Sequence, residues 1–225
     1  SLLSASKYDV WDDISMVSTG DSWCSTCKVA VAPKNHLSKQ PMRINTPPMT
    51  MIFLDCVPSP GVMRGVPGYN FKNFLFVVDP VSKYCEALGV KDKSAEETIR
   101  VLGSWRNSMV KKGYPLVLYI RSDAGTNFTS DVFKTWCNTN NIELTIAGPK
   151  HQEQNAFVER AYGTSGRMAR SMLVRAHLPM SFYFFALKYA CKQLRVLPAK
   201  GLTDIDGNPT TTYALLHNKR PRICL

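Results

Sequence analysis

Short apolar runs, bounded by polar residues, glycine and proline, recur along the chain. Runs of this length between turn residues predict β-strands. Five such strands are predicted, in the segments "MTMIFLDC", "FKNFLFVVD", "KYCEALGV", "YPLVLYIRSD" and "IELTIAG". The second and third, separated only by "PVS", are expected to pair, and the fourth is expected to be buried along its length.

Helical patterns fill the intervals after the third strand. Ser94 followed by Glu97 forms a capping box and predicts a helix over "SAEETIRVLGSWRNSMVKKG" that ends at Gly113. A short helix is predicted in "TSDVFKTWCNTNN", and two longer ones over about residues 155–176 and 179–194. Three strands followed by alternating helices and strands indicate an α/β fold.

The chain divides into three parts by composition. Residues 1–50 end in the polar, proline-containing stretch "APKNHLSKQPMRINTPPMT", which predicts a linker. Residues 51–200 hold all the predicted strands and long helices and form the core domain. Residues 201–225 are a C-terminal extension. With 225 residues and 44% hydrophobic content, the chain is long enough for one substantial core.

The charge balance favours a polyanionic partner. Lysine and arginine number 28 against 17 acidic residues, giving a net charge of +11. Charge alone is equally consistent with a soluble basic protein. The longest apolar runs are too short to cross a bilayer, and the N-terminus lacks the features of a secretory signal. Seven scattered cysteines suit a reducing compartment better than a disulfide framework.

Two aspartates lie at the ends of predicted strands, Asp55 after "IFL" and Asp123 after "IRS". If the two strands are parallel neighbours, these carboxylates meet at the edge of the sheet where α/β proteins place their ligands. A carboxylate in so apolar a setting needs a positive partner, and a metal ion suits two that converge.

Glu159 is the candidate for a third carboxylate. Helical periodicity after Asn155 places Val158, Ala161, Ser165, Met168, Ala169 and Met172 on one apolar stripe, with Tyr162 and Leu173 at its edge. Glu159 falls outside this stripe together with Arg160, Arg167 and Arg170. Taken alone, such a face is more typical of a solvated, salt-bridged helix surface.

The interval between Asp123 and Glu159 changes this interpretation, because residues 124–158 make it 35 residues long. Asp55, Asp123 and Glu159 resemble the D,D-35-E signature of retroviral and retrotransposon integrases. "RSDAGTNF" is similar to the integrase pattern SDNGxxF, and "HQEQNAFVER" to PQQNGVxER. Further segments resemble copia-type (Ty1-like) integrases in order, namely "RMARSML", "LPMSFYFFALKYA", "LPAKGL" and "TTTYALLHNKRP".

This resemblance implies a ribonuclease-H-like fold, a mixed five-stranded sheet flanked by helices. It also implies a metal-dependent DNA polynucleotidyl transferase that performs 3′-end processing and strand transfer. Two Mg²⁺ or Mn²⁺ ions would be held by Asp55, Asp123 and Glu159, with Asp55 bridging both. The alternatives are a ribonuclease-H-like nuclease or transposase, and a domesticated, catalytically inactive DNA-binding protein.

The partners implied are retroelement DNA ends and target DNA. Six residues are expected to contact the DNA, namely Lys150, Gln154, Asn155, Arg160, Arg167 and Arg170, whereas Lys111, Lys112 and Arg121 are interpreted as solubilising charge. A homo-oligomer and a host tethering protein are also implied, without a membrane. Action in the nucleus after a stage in cytoplasmic virus-like particles is expected.

Cys24 and Cys27 form half of a tetrahedral zinc set. The resembled integrases place a histidine pair before such cysteines, but no histidine precedes Cys24. A full Zn²⁺ site is therefore expected only in a longer protein, with residues 1–50 as its remnant; two ordinary reduced cysteines are the alternative.

The chain departs from the family pattern beside the site. Ala124 stands where the family has asparagine, and Ala156 stands where it has glycine, which predicts a stiffer loop before Glu159. Asp79, a further acidic residue at a strand end, is interpreted as a turn residue.

Overall fold

The computed structural model describes residues 46–61, 69–147, 156–204 and 206–221. Seven strands lie in these ranges: β1 Met51–Pro58, β2 Asn73–Val78, β3 Cys85–Val90, β4 Tyr119–Ser122, β5 Glu143–Ile146, β6 Pro198–Thr203 and β7 Pro209–Thr211. The helices are α1 Ala95–Lys111, α2 Thr126–Thr129, α3 Asp131–Thr139, α4 Ala156–Arg175, α5 Tyr183–Val196 and α6 Thr212–His217. A 3-10 turn, Met180–Phe182, leads into α5.

The main sheet has five strands in the order β3-β2-β1-β4-β5. The pairs β1–β2 and β2–β3 are antiparallel, whereas β1–β4 and β4–β5 are parallel. The sheet is therefore mixed, as the sequence predicted.

Helices cover both faces of this sheet. On one face, Ile52, Leu54 and Leu75 pack with the apolar side chains of α1 and α3. On the other face, Phe53 and Phe76 pack with those of α4 and α5. Because side chains alternate along each strand, neighbouring residues of β1 enter different cores. Asp55 consequently shares a face with Phe53 and lies beneath α4.

The first long helix confirms its predicted start but not the whole capping box. Ser94 Oγ accepts the Glu97 amide N–H at 3.2 Å. Glu97 does not return the bond to Ser94, since its carboxylate accepts the N–H of Lys91 and pairs with Arg100. Asp92 binds the Ser94 N–H instead, at 2.9 Å. The helix ends at Lys111, before Gly113 at φ +84.

The prediction of a long buried fourth strand is wrong at its beginning. Only Tyr119–Ser122 pair in the sheet, while Leu116 and Leu118 are 44% and 39% exposed. The neighbouring strand β1 begins only at Met51, and the N–H groups of Leu118 and Tyr119 both donate to the Thr50 carbonyl. The earlier apolar residues therefore have no paired strand beside them.

The C-terminal elements return to the core. Strands β6 and β7 form a separate antiparallel pair, and β6 begins at Pro198, just before the predicted extension. Thr212 Oγ1 donates to the Ser82 carbonyl at 2.6 Å, and the side chains of Tyr114 and His217 are hydrogen-bonded at 2.9 Å. These bonds attach α6 to the β2–β3 turn and to the segment after α1. No helix in the described ranges is long and apolar enough to cross a membrane.

Candidate active site

Asp55 and Asp123 occupy equivalent places on neighbouring parallel strands. The β1–β4 pairing runs from Met51 opposite Tyr119 to Leu54 opposite Ser122, and each aspartate is the next residue of its chain segment. Both side chains are half-buried, between fully buried sheet residues and solvent. The convergence expected from the sequence follows directly from this register.

Glu159 lies in the first turn of α4, on the exposed side of the helix. Two contacts hold this part of α4 against the sheet: the Phe157 ring lies 5.5 Å from that of Phe53, and the Tyr162 ring lies 5.5 Å from that of Phe76. Phe76 is the β2 partner of Asp55. The helix therefore places Glu159 near the two aspartates.

The Asp123 and Glu159 carboxylates act electrostatically on Asp55. The pKa of Asp55 is raised above its usual value, first by burial and then by the negative charge of Asp123. The Glu159 carboxylate adds to this effect, while the Cys56 backbone N–H and the Lys93 ammonium oppose it. A cation bound between Asp55 and its acidic neighbours would relieve the electrostatic repulsion between them.

The loop after β4 orients Asp123 through a glycine. The Gly125 N–H donates to Asp123 Oδ1 at 3.2 Å. A Cβ at position 125 would lie 3.1 Å from the same oxygen and 3.0 Å from Asn127 Oδ1. Asn127 is itself fixed, because its amide donates to Thr98 of α1 at 3.1 Å, and Phe128 is fully buried. These contacts explain the pattern "SDAGTNF" physically, whereas Ala124 is exposed.

The donor chemistry of the site fits a hard divalent cation such as Mg²⁺, which prefers carboxylate oxygen. Among the described residues, no group of three or more His, Cys, Asp or Glu side chains is arranged in this structure so that it could hold a metal ion. The nearest sulfur does not compete for a metal. Burial raises the pKa of the Cys56 thiol to about 11, with a contribution from both aspartates, so the thiol stays protonated at neutral pH.

Asp79 has a structural role, as the sequence predicted. Its side chain is fully buried and accepts the N–H groups of Met49, Val81 and Ser82 at 3.0–3.1 Å. The Ser82 hydroxyl also donates to it. All these donors belong to the β2–β3 turn or to the segment entering β1. The carboxylate therefore closes the turn.

The arginines predicted to bind DNA lie at different distances from the carboxylates. Arg160 follows Glu159 and is exposed. Arg167 and Arg170 are half-buried and lie about 12 and 16 Å farther along the helix, at a rise of about 1.5 Å per residue. Lys150, Gln154 and Asn155 lie outside the described residues, as do Cys24 and Cys27. Ala156 is buried and begins α4 without a positive φ.

Two cations near the site, Arg121 and Lys83, were not predicted from the sequence as part of it. The Arg121 guanidinium, interpreted from the sequence as solubilising charge, lies over the Phe53 ring at 5.7 Å. The Lys83 ammonium lies over the Phe157 ring at 5.1 Å. The position of Arg121 two residues before Asp123 was a usable signal, because both lie on one face of β4. No local pattern links Lys83 to Phe157.

The chain is similar in sequence to parts of two known Pol polyproteins. No family model matches the chain. It is 28% identical over 182 residues to the Pro-Pol polyprotein of feline foamy virus, and 27% identical over 128 residues to the retrovirus-related Pol polyprotein from transposon TNT 1-94 of Nicotiana tabacum. These matches cover 80% and 57% of this chain, but only 15% and 10% of the two polyproteins.

Solved structures are similar to this chain over 76% to 90% of its length. A chain of the simian T-cell lymphotropic virus intasome in complex with PP2A regulatory subunit B56 gamma gives a TM-score of 0.60 at 21% identity, covering 90% of this chain and 66% of that one. The HTLV-2 integrase catalytic core domain in complex with magnesium gives 0.52 at 19% identity, with 76% and 97% covered. The BIV integrase catalytic core gives 0.51 at 19%, with 76% and 95% covered.

The chain has the fold of a retroviral integrase catalytic core. The sequence resemblance to retroelement integrases is thereby confirmed at the level of the fold and of the Pol polyprotein relatives. In this integrase-like core, Asp55 and Asp123 lie side by side where the β1–β4 pairing ends. The first turn of α4 adds Glu159.

Proposed function

We propose that this chain is the catalytic core of a copia-type retrotransposon integrase, a metal-dependent DNA polynucleotidyl transferase. The observation that supports this most directly is that the β1–β4 register places Asp55 beside Asp123, where burial and the charges of Asp123 and Glu159 raise the pKa of Asp55. A half-buried carboxylate whose ionised form is disfavoured in this way suits a cation site better than it suits the stability of the fold.

The first step hydrolyses a phosphodiester bond, and the second exchanges one phosphodiester bond for another. In 3′-end processing, a water oxygen attacks a phosphorus atom, the bond to the leaving 3′ oxygen breaks, and that oxygen takes up a proton. In strand transfer, the new 3′-hydroxyl attacks a phosphorus atom of target DNA in the same way. Both steps need in-line attack, a stabilised leaving oxygen and neutralised phosphoryl charge.

Asp55, Asp123 and Glu159 would hold two Mg²⁺ or Mn²⁺ ions, with Asp55 shared between them. When bound, these ions would supply Lewis acidity for the phosphoryl-transfer step. The chain's own contribution is placement: the β1–β4 register fixes the two aspartates, and the Gly125 N–H orients one of them. Arg160, beside Glu159, would meet the DNA backbone.

The relatives suggest further features of the whole protein. One structural neighbour is an intasome bound to a host phosphatase subunit, and another is a core domain in complex with magnesium. We accordingly extend the proposal to a homo-oligomer that acts on retroelement ends and target DNA and engages a host tethering protein. Action in the nucleus follows, after a cytoplasmic particle stage, with Zn²⁺ bound through Cys24 and Cys27 in a longer chain.

The test uses a branched duplex that mimics an integration product, because resealing it reverses strand transfer in one step. The purified chain is incubated with this DNA and Mg²⁺ or Mn²⁺, and resealed product is measured. Glu159→Gln is expected to lower resealing by at least about a thousandfold while the protein stays folded, because it removes a charged ligand of the metal site. Glu96→Gln, an exposed acidic residue in the first turn of α1, is the matched control.

Equal resealing by the parent and Glu159→Gln would contradict the transferase assignment. A parent that binds DNA with a normal fold but never reseals it would favour the binding-only alternative.

A further inference from the structure

Two cations lie beside one aromatic ring at the start of α4, the helix that carries Glu159. The Lys83 ammonium and the Arg160 guanidinium each lie 5.1 Å from the centroid of the Phe157 ring. Lys83 comes from the β2–β3 turn, whereas Arg160 belongs to α4, so tertiary folding alone brings them together. The Phe157 ring in turn packs on Phe53, which lies two residues before Asp55 on β1.

The backbone at Lys83 makes this position unusual. Lys83 has φ +62, a left-handed conformation that favours glycine. Its Nζ donates to the Pro80 carbonyl at 2.9 Å, and the side chain is half-buried along the Phe157 ring. A lysine is therefore held in a strained turn with its charge directed to one place. Strained positions of this kind cluster at binding and catalytic sites.

The charges around the ring are not balanced by neighbouring acids. Among the described residues, neither Lys83 nor Arg160 has a carboxylate within ion-pair distance. Burial, followed by the positive charge of Arg160, lowers the pKa of Lys83, and the more distant Asp79 opposes this effect. Two like charges beside one ring repel each other unless an anion binds to both.

We propose that Lys83 and Arg160 together bind one backbone phosphate of the DNA strand that enters the carboxylate site. The inference rests on the proposed function and adds to it a residue from the β2–β3 turn. A phosphodiester supplies two anionic oxygens that two separate cations can share. The net charge of +11 and the adjacency of Arg160 to Glu159 select DNA as the source of that phosphate.

In this arrangement Lys83 positions substrate and takes no part in bond exchange. The contact fixes where the strand crosses the start of α4, and Glu159 immediately precedes Arg160. The phosphate bound by Lys83 is therefore near the scissile one without being identical to it. Arg121, over the Phe53 ring, extends the same basic surface on the β4 side.

Two substitutions at position 83 separate charge from folding. Lys83→Gly removes the ammonium and also relieves the left-handed strain, so its melting temperature is not expected to fall. Lys83→Met keeps an unbranched side chain against Phe157 but removes the charge. Lys192→Met, at an exposed position of α5, makes the same chemical change away from the ring. All three variants lose one positive charge.

The measurement is fluorescence anisotropy of the branched duplex, titrated with the full chain over a range of salt concentrations. Both Lys83 variants are expected to bind about three- to tenfold more weakly at low salt. The slope of log affinity against log salt should shrink in magnitude by about 0.9, the value for one lost phosphate contact. Lys192→Met should retain the parental slope.

A second arm locates the phosphate. Single methylphosphonate linkages, which are uncharged, are placed one at a time along each strand near the branch point. At one position, the neutral linkage and Lys83→Met should give no more loss together than either gives alone. Additive losses at every position would overturn the inference, as would parental affinity and slope in both Lys83 variants. Binding lost in Lys83→Gly but retained in Lys83→Met would also overturn it, because packing on Phe157 would then be the cause.

The two experiments distinguish failure of the phosphate site from failure of the proposed transferase function. If the salt slope depends on Lys83 but Glu159→Gln reseals DNA as well as the parent, the phosphate site stands and the transferase assignment fails. If Glu159→Gln abolishes resealing while the Lys83 variants bind as the parent does, only the phosphate site fails. A parent chain that binds no DNA overturns both.

Discussion

Asp55 and Asp123 each directly follow the last residues that β1 and β4 pair with one another, and burial together with the negative charge of Asp123 raises the pKa of Asp55. The β1–β4 register alone brings them side by side. Repulsion between these carboxylates lowers the stability of the folded protein even without DNA. The fold contains repulsion at this edge of the sheet, and removing one charge should release it.

Asp55→Asn is expected to stabilise the metal-free protein at neutral pH while abolishing resealing. Because folding raises the pKa of Asp55, the native state binds its proton more tightly than the unfolded state, and stability falls as pH rises from the usual value of 3.8 through the raised value. Asp55→Asn removes the ionisable group, so its stability does not fall with pH for this reason. Thermal melts in chelator should show a gain on the order of a few degrees at pH 7 that vanishes below about pH 4. An Asp55→Asn protein that melts lower at pH 7 would contradict the repulsion.

Mg²⁺ should stabilise the parent chain and not the site variants. A ligand that binds only the native state raises the free energy of unfolding by RT ln(1 + [L]/Kd), about 2.7 kcal/mol at a hundredfold excess over Kd. Millimolar Mg²⁺ should therefore raise the melting temperature of the parent, with a much smaller rise for Asp55→Asn or Glu159→Gln. Ca²⁺ in place of Mg²⁺ tests whether occupancy alone is sufficient for this effect. An equal shift in all three proteins would place the bound ion elsewhere.

Gly125→Ala should impair catalysis more than stability. Gly125 has φ −58, which alanine adopts freely, so the backbone is not strained. The new methyl would lie 3.1 Å from Asp123 Oδ1, 3.0 Å from Asn127 Oδ1 and 3.4 Å from the buried Phe128 ring. Asp123 has the most freedom of the three to move. Resealing should fall roughly ten- to hundredfold, as expected for a catalytic group displaced by a fraction of an ångström to an ångström.

Gly103→Ala is the matched control for this substitution. Its added Cβ would meet only the Trp136 ring, at an ordinary contact distance of 3.7 Å. Because alanine is the better helix former, α1 should become more stable by up to about 1 kcal/mol, with unchanged resealing. Gly125→Ala that reseals DNA at the rate of Gly103→Ala would show that the Asp123 carboxylate is not held by this loop.

The strands and the approach of Asp55 to Asp123 could be predicted from the sequence, because both depend on patterns of neighbouring residues along the chain. Short apolar runs between turn residues mark the strands, and aspartates at the same level of two parallel neighbours must meet. The expectation that Asp55 ends its strand was wrong, because β1 continues to Pro58 by pairing with β2. The extent of β4 was not predictable, since Leu116 and Leu118 are as apolar as strand residues but lie outside the paired strand and are exposed. Whether an apolar run pairs depends on where its partner begins.

The Lys83–Phe157–Arg160 arrangement shows the limit of local patterns more sharply. Arg160 was found through its place beside Glu159. Lys83 lies 74 positions before Phe157 in the chain and reaches its ring through a turn with a left-handed residue. No periodicity or spacing encodes such a contact. It arises from the packing of α4 on β1, through the Phe157 and Phe53 rings.

Asp79→Asn should have the opposite effect on stability from Asp55→Asn. The buried Asp79 carboxylate accepts three backbone N–H groups and one hydroxyl, so its charge is compensated, whereas that of Asp55 faces like charges. An asparagine amide offers one acceptor oxygen and turns its NH₂ toward remaining donors. Each buried N–H left unpaired costs about 1–3 kcal/mol, and urea denaturation should show a total loss of about 3 kcal/mol.

Asp131→Asn is the control, because Asp131 is exposed and pairs with Lys134 only at the surface, where removing the charge changes stability by less than about 1 kcal/mol. Folded Asp79→Asn protein should still bind the branched duplex, since the substitution leaves Asp55, Asp123 and Glu159 unchanged. If Asp79→Asn were as stable as Asp131→Asn, the carboxylate would not be what closes the β2–β3 turn. Lys83, held in that turn, would then need another explanation for its left-handed backbone.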